Sequence, residues 1–146
     1  LVHIDRRCHE YGIPKPTTFC YHGYNYGSDA VKVIEEYGFH FARRGVAPEY
    51  PYNNEGGRGP AYDPSIHSPW LIPTAGASGP NWGFDDLVWA VDQAKDGKIA
   101  VLTFHGVPDL EHPWVHTEPA EFERYMGYLD DQGCTVIALR DLANYT

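Results

Sequence analysis

Apolar positions along this chain follow two alternating periods. Leu87, Val88, Ala90, Val91 and Ala94 recur at helical spacing, as do Phe122, Tyr125, Met126 and Leu129. Asp85 and Asp86 cap the first of these helices and Gly97 stops it, while Thr117 caps the second, Pro119 lies in its first turn and Gly133 ends it. An earlier helix starts at Ser28 and Asp29, turns Ala30, Val33, Ile34 and Tyr37 inward, and stops at Gly38. Ile4, Cys8 and Tyr11 also fall at helical spacing, so the chain begins inside a helix that closes near Glu10, before Gly12, Pro14 and Pro16. A start of this kind, on Leu1 rather than Met, reads as a fragment, a processed product or one piece of a larger protein.

Short apolar runs lie between these helices. Ile99 to Phe104 are all apolar or β-branched, the mark of a strand buried on both faces, and the run ends on His105 before Gly106 and Pro108 turn the chain. The predicted strands lie near 17–21, 39–44, 98–105 and 135–140. Alternating with helices, they imply four parallel strands and an α/β fold in one domain, residues 1–146. Four such units amount to about half of a closed barrel and would leave a sheet edge to be covered. From Val46 to about Asn81 the periodicity dissolves into a long loop rich in Pro, Gly, Asn and Tyr. Its rings Tyr50, Tyr52, Tyr62 and Trp70 either stack on sugar faces or pack over the sheet edge with their polar tips wet.

Composition narrows the partners. The net charge of −9, with no basic run longer than Arg6-Arg7 and Arg43-Arg44, disfavours nucleic acid and anionic membrane. The sequence holds no apolar stretch long enough to span a bilayer. Cys8, Cys20 and Cys134 are dispersed and odd in number, which reads as buried thiols rather than a disulfide framework or a zinc knuckle.

In a parallel sheet the carboxyl ends of the strands point to one face, where ligands and catalytic groups collect. Here those ends carry Tyr21 and His22, Arg43 and Arg44, His105, and Arg140 and Asp141. His105 at such a point is a proton donor, a metal ligand or a hydrogen-bonded core residue. His112 and His116 follow closely, but Pro113 breaks the helix on which a zinc pair of that spacing normally rides. His3, His9, His40 and His67 read as solvated or packed.

The motifs Phe19-Cys20-Tyr21-His22-Gly23-Tyr24, Ala42-Arg43-Arg44-Gly45, Val101-Leu102-Thr103-Phe104-His105-Gly106-Val107 and Val136-Ile137-Ala138-Leu139-Arg140-Asp141-Leu142 resemble the later motifs of the polysaccharide deacetylases, the NodB-homology carbohydrate esterases. The resemblance runs over nearly the whole chain. It implies the carboxyl-terminal part of a distorted (β/α) barrel that removes acetyl groups from N-acetylated sugars with a divalent metal, zinc first. In that family an Asp and two His from a Thr-Phe-Asp-Asp and a His-Thr-x-x-His motif bind the metal, and neither pattern occurs here. The ligands are therefore expected upstream of Leu1, no metal ligand is assigned to this chain, and the chain by itself is expected to be inactive.

Within the mechanism so implied, His105 protonates the departing amine, with Asp86 as its acidic neighbour or Asp141 in second place. Arg43 stands in for the arginine that the family's third motif usually offers where this chain has Cys20. Tyr21, His22, Tyr24, Trp82 and Trp114 are the expected sugar-binding residues. The missing amino-terminal half, or another chain, would cover the open sheet edge. Two other readings stay open: a non-catalytic carbohydrate-binding or structural half-domain built on the aromatic loop, and a zinc hydrolase centred on His105, His112 and His116.

Overall fold

The computed structural model describes residues 1–45 and 58–146. Tyr50 and Tyr52 lie outside the described residues. The fold is α/β, with helices α1 (Val2–Glu10), α2 (Ser28–Glu36), α3 (Phe84–Asp92) and α4 (Pro119–Asp131) and short strands β1 (Thr18–Cys20), β2 (Phe41–Arg43), β3 (Gly76–Ala77) and β4 (Leu102–Thr103). The helices fall where the spacing places them, but their caps differ: α2 starts from Gly27 rather than Ser28, and α3 starts from Gly83 and ends at Asp92, before Gly97. Asp86 accepts the Gly83 N–H at 2.9 Å and so caps α3, and Gly38 leaves α2 at a φ of +89° that disfavours any other residue. α2 turns Val31, Ile34 and Tyr37 inward, whereas Val33 is half exposed. Glu118, not Thr117, is the N-cap residue of α4; Thr117 is buried and shares a 2.7 Å hydrogen bond with Ser78.

β1 pairs with β2 in parallel, Thr18 opposite Phe41 and Cys20 opposite Arg43. β3 pairs with β4 in parallel, Gly76 opposite Leu102 and Ala77 opposite Thr103. Sequence periodicity misses what joins the two ladders. After a turn at residues 68–71, residues 72–75 run from β2 into β3. Ala42 N–H donates to Pro69 O at 2.8 Å, Ile72 N–H to Ala42 O at 2.9 Å and Arg44 N–H to Ile72 O at 3.0 Å. The segment then turns its bonds to the other side, Ala75 N–H to Val101 O at 2.8 Å and Ser78 N–H to Thr103 O at 2.9 Å. Pro73, which has no N–H, falls before the first bond to the β4 side and interrupts neither ladder. Among the described residues these parallel ladders form no closed barrel.

The fourth expected strand, 135–140, does not form. Residues 134–138 have no regular structure and lead into a 3₁₀ helix at Leu139–Asn144. Ile137, Leu139 and Leu142 still pack on Phe41, Tyr62 and Ile72, so the apolar run buries its side chains without joining a ladder. Of the rings in the expected aromatic loop, Tyr62 is buried and Trp70 donates its indole N–H to Phe39 O at 2.8 Å. Both are packing residues. Cys20 is exposed and Cys8 and Cys134 are only partly buried, so none is the buried thiol expected, and all three are free. The expected inward face of α1 is open too: Ile4 is exposed and no residue of that helix is buried.

Because Ile72 is fully buried and bonded to β2 while the same segment bonds to β4, truncating it opens a cavity at the seam. Ile72→Ala should cost about 2 to 5 kcal/mol. The measurement is a lower urea midpoint at an unchanged m-value. A loss below about 1 kcal/mol would show that the seam does not hold the ladders together.

Candidate functional site

β4 delivers Phe104, whose ring stands edge-on against Phe122 at 5.0 Å, and this anchors the backbone that presents His105. After His105 the chain leaves as a loop and returns beside its own start. Gly106 bridges to His116, and the Thr117 N–H donates to Gly106 O at 3.2 Å. Leu110, Glu111 and Trp114 face solvent on this loop, while Asp109 points inward with a side chain only 11% exposed. Room for it depends on Gly106, since a Cβ there would stand 2.7 Å from the Asp109 Cβ.

Asp109 is the hub of the site. One carboxylate oxygen accepts the His105 Nδ1–H; the other accepts the His112 Nδ1–H at 2.9 Å and the His112 backbone N–H at 3.0 Å. Burial raises the Asp109 pKa, but the hydrogen bonds from His105 and His112 and the charge of His112 outweigh it and hold the carboxyl down at about 2. An ionised carboxylate only accepts, so both rings donate from Nδ1 and leave Nε2 for other work. The His105 and His112 side chains are 54% and 43% exposed, and their rings meet edge-on at 5.1 Å.

His116 is wired in the opposite sense. Its Nδ1 accepts the Asp109 backbone N–H at 3.0 Å, so its proton sits on Nε2, which donates to Glu118 at 2.8 Å. It supports the loop from behind and is not one of the three residues, His105, Asp109 and His112, whose donor atoms lie within 4.8 Å of one another. Two imidazoles and a carboxylate at that separation can relay a proton or chelate a divalent cation.

The expected site residues divide between this loop and other places. The carboxylate beside His105 is Asp109, not Asp86: Asp86 caps α3 and pairs with Arg58 at 2.7 Å. Asp141 stands on the terminal 3₁₀ helix, 4.0 Å from Arg140. Arg43 donates to the Cys20 sulfur at 2.7 Å and to Thr74 Oγ1 at 3.2 Å, with its guanidinium over the Tyr24 ring, so it braces the ends of β1 and β2. Tyr21 is buried, its hydroxyl donating to Trp70 O at 3.0 Å, and Trp82 is 4% exposed against Tyr125. Neither offers a face for a sugar. His22 and Tyr24 are exposed in a 3₁₀ turn after β1, on the Arg43 side. Trp114, 60% exposed, joins the histidine cluster, edge-on to His112 at 5.4 Å.

Asp109 is the functional residue that sequence reading missed. Its signal is the spacing His105-x-x-x-Asp109-x-x-His112, which has no helix to give it meaning because Gly106, Pro108 and Pro113 interrupt it. Gly106→Ala should push Asp109 away from both rings. Long-range ¹H–¹⁵N spectra should then show the His105 and His112 nitrogens shifting together while those of His67 stay put. Unchanged spectra for both rings would mean the loop accommodates the methyl group and Asp109 is not held by Gly106. Comparison of the chain with known protein families, curated proteins and solved structures finds no match.

Proposed function

We propose that this chain carries the proton-transfer side of a hydrolase that removes acetyl groups from N-acetylated sugars. The observation that carries the reading is His105 at the carboxyl end of β4, its Nδ1–H given to the shielded Asp109 and its ring half exposed. In amide hydrolysis water adds to the acetyl carbonyl, and the C–N bond breaks only as the nitrogen gains a proton. His105 in its cationic form supplies that proton from Nε2, and Asp109 holds the ring in register and stabilises the positive charge before transfer. Acetate leaves, the amine remains on the sugar, and His105 regains its proton from the attacking water. Trp114 beside His112 offers an exposed ring on which a sugar face can rest.

The divalent metal of the family that the chain resembles would supply water activation. Its usual ligand motifs, Thr-Phe-Asp-Asp and His-Thr-x-x-His, are absent from these residues. No step of the reaction is routed through a metal on this chain. The reading therefore pairs this chain, as the carboxyl-terminal part of a distorted (β/α) barrel, with a metal-binding half or a second chain. The parallel ladders and the outer edge of β1, which has no strand partner among the described residues, support that arrangement.

Acetate release from an N-acetylated oligosaccharide, by protein that includes the metal-binding half, tests the assignment. His105→Gln should lower kcat by about 10² to 10⁴ with little change in KM, because a general acid acts in the transition state. Asp109→Asn should lower kcat in the same direction, whereas Asp86→Asn should leave it near wild type. Activity surviving in His105→Gln would remove the acid role and leave a carbohydrate-binding or structural half-domain.

A further inference from the structure

We infer that the loop after β4 is a divalent transition-metal site of its own, formed by His105, Asp109 and His112, with zinc the first expected occupant. The donor set is two imidazole nitrogens and one carboxylate oxygen, the mixture that suits zinc, cobalt and nickel rather than calcium or magnesium. Three protein ligands leave coordination positions open to water or a small anion. The donor atoms lie within 4.8 Å of one another. Ligands bound to one tetrahedral zinc at about 2.0–2.1 Å stand roughly 3.3–3.4 Å apart. The two half-exposed rings therefore need to shift by about 1 to 1.5 Å to close on the ion.

The loop is built to hold this geometry. Its base is closed by the Gly106–His116 bridge and the Thr117 N–H to Gly106 O bond. Asp109 is fixed from behind by the His116 ring, which itself leans on Glu118. Supports of this kind orient first ligands, and removing them usually weakens metal affinity. Gly106 leaves the space in which the carboxylate sits.

Metal and proton use the same nitrogens. In the structure both rings donate from Nδ1 to Asp109. Coordination through Nδ1 needs its lone pair, so each neutral ring moves its proton to Nε2 and Asp109 gives its oxygen to the cation instead. A loaded loop thus loses the Asp109–His105 hydrogen bond. With His105 as the general acid of the proposed deacetylase, zinc bound here inhibits the reaction; that consequence rests on the proposed function, whereas the binding site rests on the geometry alone.

The test uses the 146-residue chain, stripped with a chelator and titrated with Co²⁺ and then Zn²⁺. One equivalent should bind, giving cobalt d–d absorption that zinc quenches, and zinc should move the His105 and His112 protons from Nδ1 to Nε2 in ¹H–¹⁵N spectra. His112→Ala and Asp109→Ala should each weaken binding at least tenfold, and His67→Ala should not. X-ray absorption on the zinc-loaded wild type guards against variants that fail to fold, and should show two imidazoles in the first shell. The inference is overturned if no equivalent binds below about 10 μM, if the absorption spectrum shows fewer than two imidazoles, or if His112→Ala folds and binds as well as wild type. In protein that includes the metal-binding half, added zinc that binds here yet leaves deacetylation untouched would keep the site and sink the acid role of His105; absent binding with an inactive His105→Gln would do the reverse.

Discussion

The buried segment from Ile72 to Ala75 is the constraint on which the rest depends. On one side Ile72 exchanges backbone bonds with β2; on the other, Ala75 bonds to Val101 in the run that becomes β4. Three apolar clusters gather around it. Ala75 sits with Trp82, Leu87 and Tyr125, Ile72 sits with Phe41, Tyr62 and Leu142, and Leu71 packs on the cluster of Tyr21, Ile34 and Phe39. Without the segment each short ladder would be a two-stranded piece, too small to be stable alone. Beyond the segment, past β3, lies Ser78, whose hydroxyl meets Thr117 at 2.7 Å where the histidine loop rejoins the body. The core seam thereby sets one foot of the loop, and β4 sets the other.

Charge is managed with equal economy inside the loop. A carboxylate with a side chain 11% exposed would ordinarily resist ionisation. Three N–H donors converge on Asp109 instead, two from rings and one from the backbone. The arrangement keeps a negative charge on the protein side and leaves both rings about half exposed. His116 contributes by accepting the Asp109 backbone N–H, so a third histidine is spent on holding the hub rather than on chemistry.

How much of this was legible follows from where the local signals were strong. α3 and α4 combine helical spacing with an acidic or proline start, and both form in the stretches read, although α3 starts from Gly83 and ends at Asp92, short of Gly97, and α4 is capped by Glu118. The central segment was illegible because Pro73 sits within a short apolar stretch of a Pro- and Gly-rich region, where a strand is the poorer guess. The opposite error occurred at Thr135–Arg140: a β-branched apolar run looks like a strand, but side-chain burial on Ile72 and Tyr62 satisfied it without a ladder. His105 was legible from its place at the end of an apolar run. Asp109 was not, because what brings a residue four positions away back to the same ring is a loop closed by contacts distant in sequence, Gly106 with His116 and Thr117 with Ser78.

The strand ends also show why convergence of polar residues on one face is not enough to define a site. At β1 and β2, Arg43 reaches the Cys20 sulfur and Thr74, and its guanidinium lies 5.5 Å from the centre of the Tyr24 ring. That ring in turn lies so close over Gly45 that a Cβ there would stand 2.3 Å from it. Arg43 thus ties the end of β2 to β1, to the Thr74 segment and to the turn after β1, so a cation that looks free in sequence is engaged as a brace. At β4 the polar groups instead tie a loop to itself and leave imidazole edges in solvent. The difference lies in what the carboxyl end meets: an adjacent strand end at the same level, which turns polar groups into clamps, or an open loop, which leaves them able to act on something else.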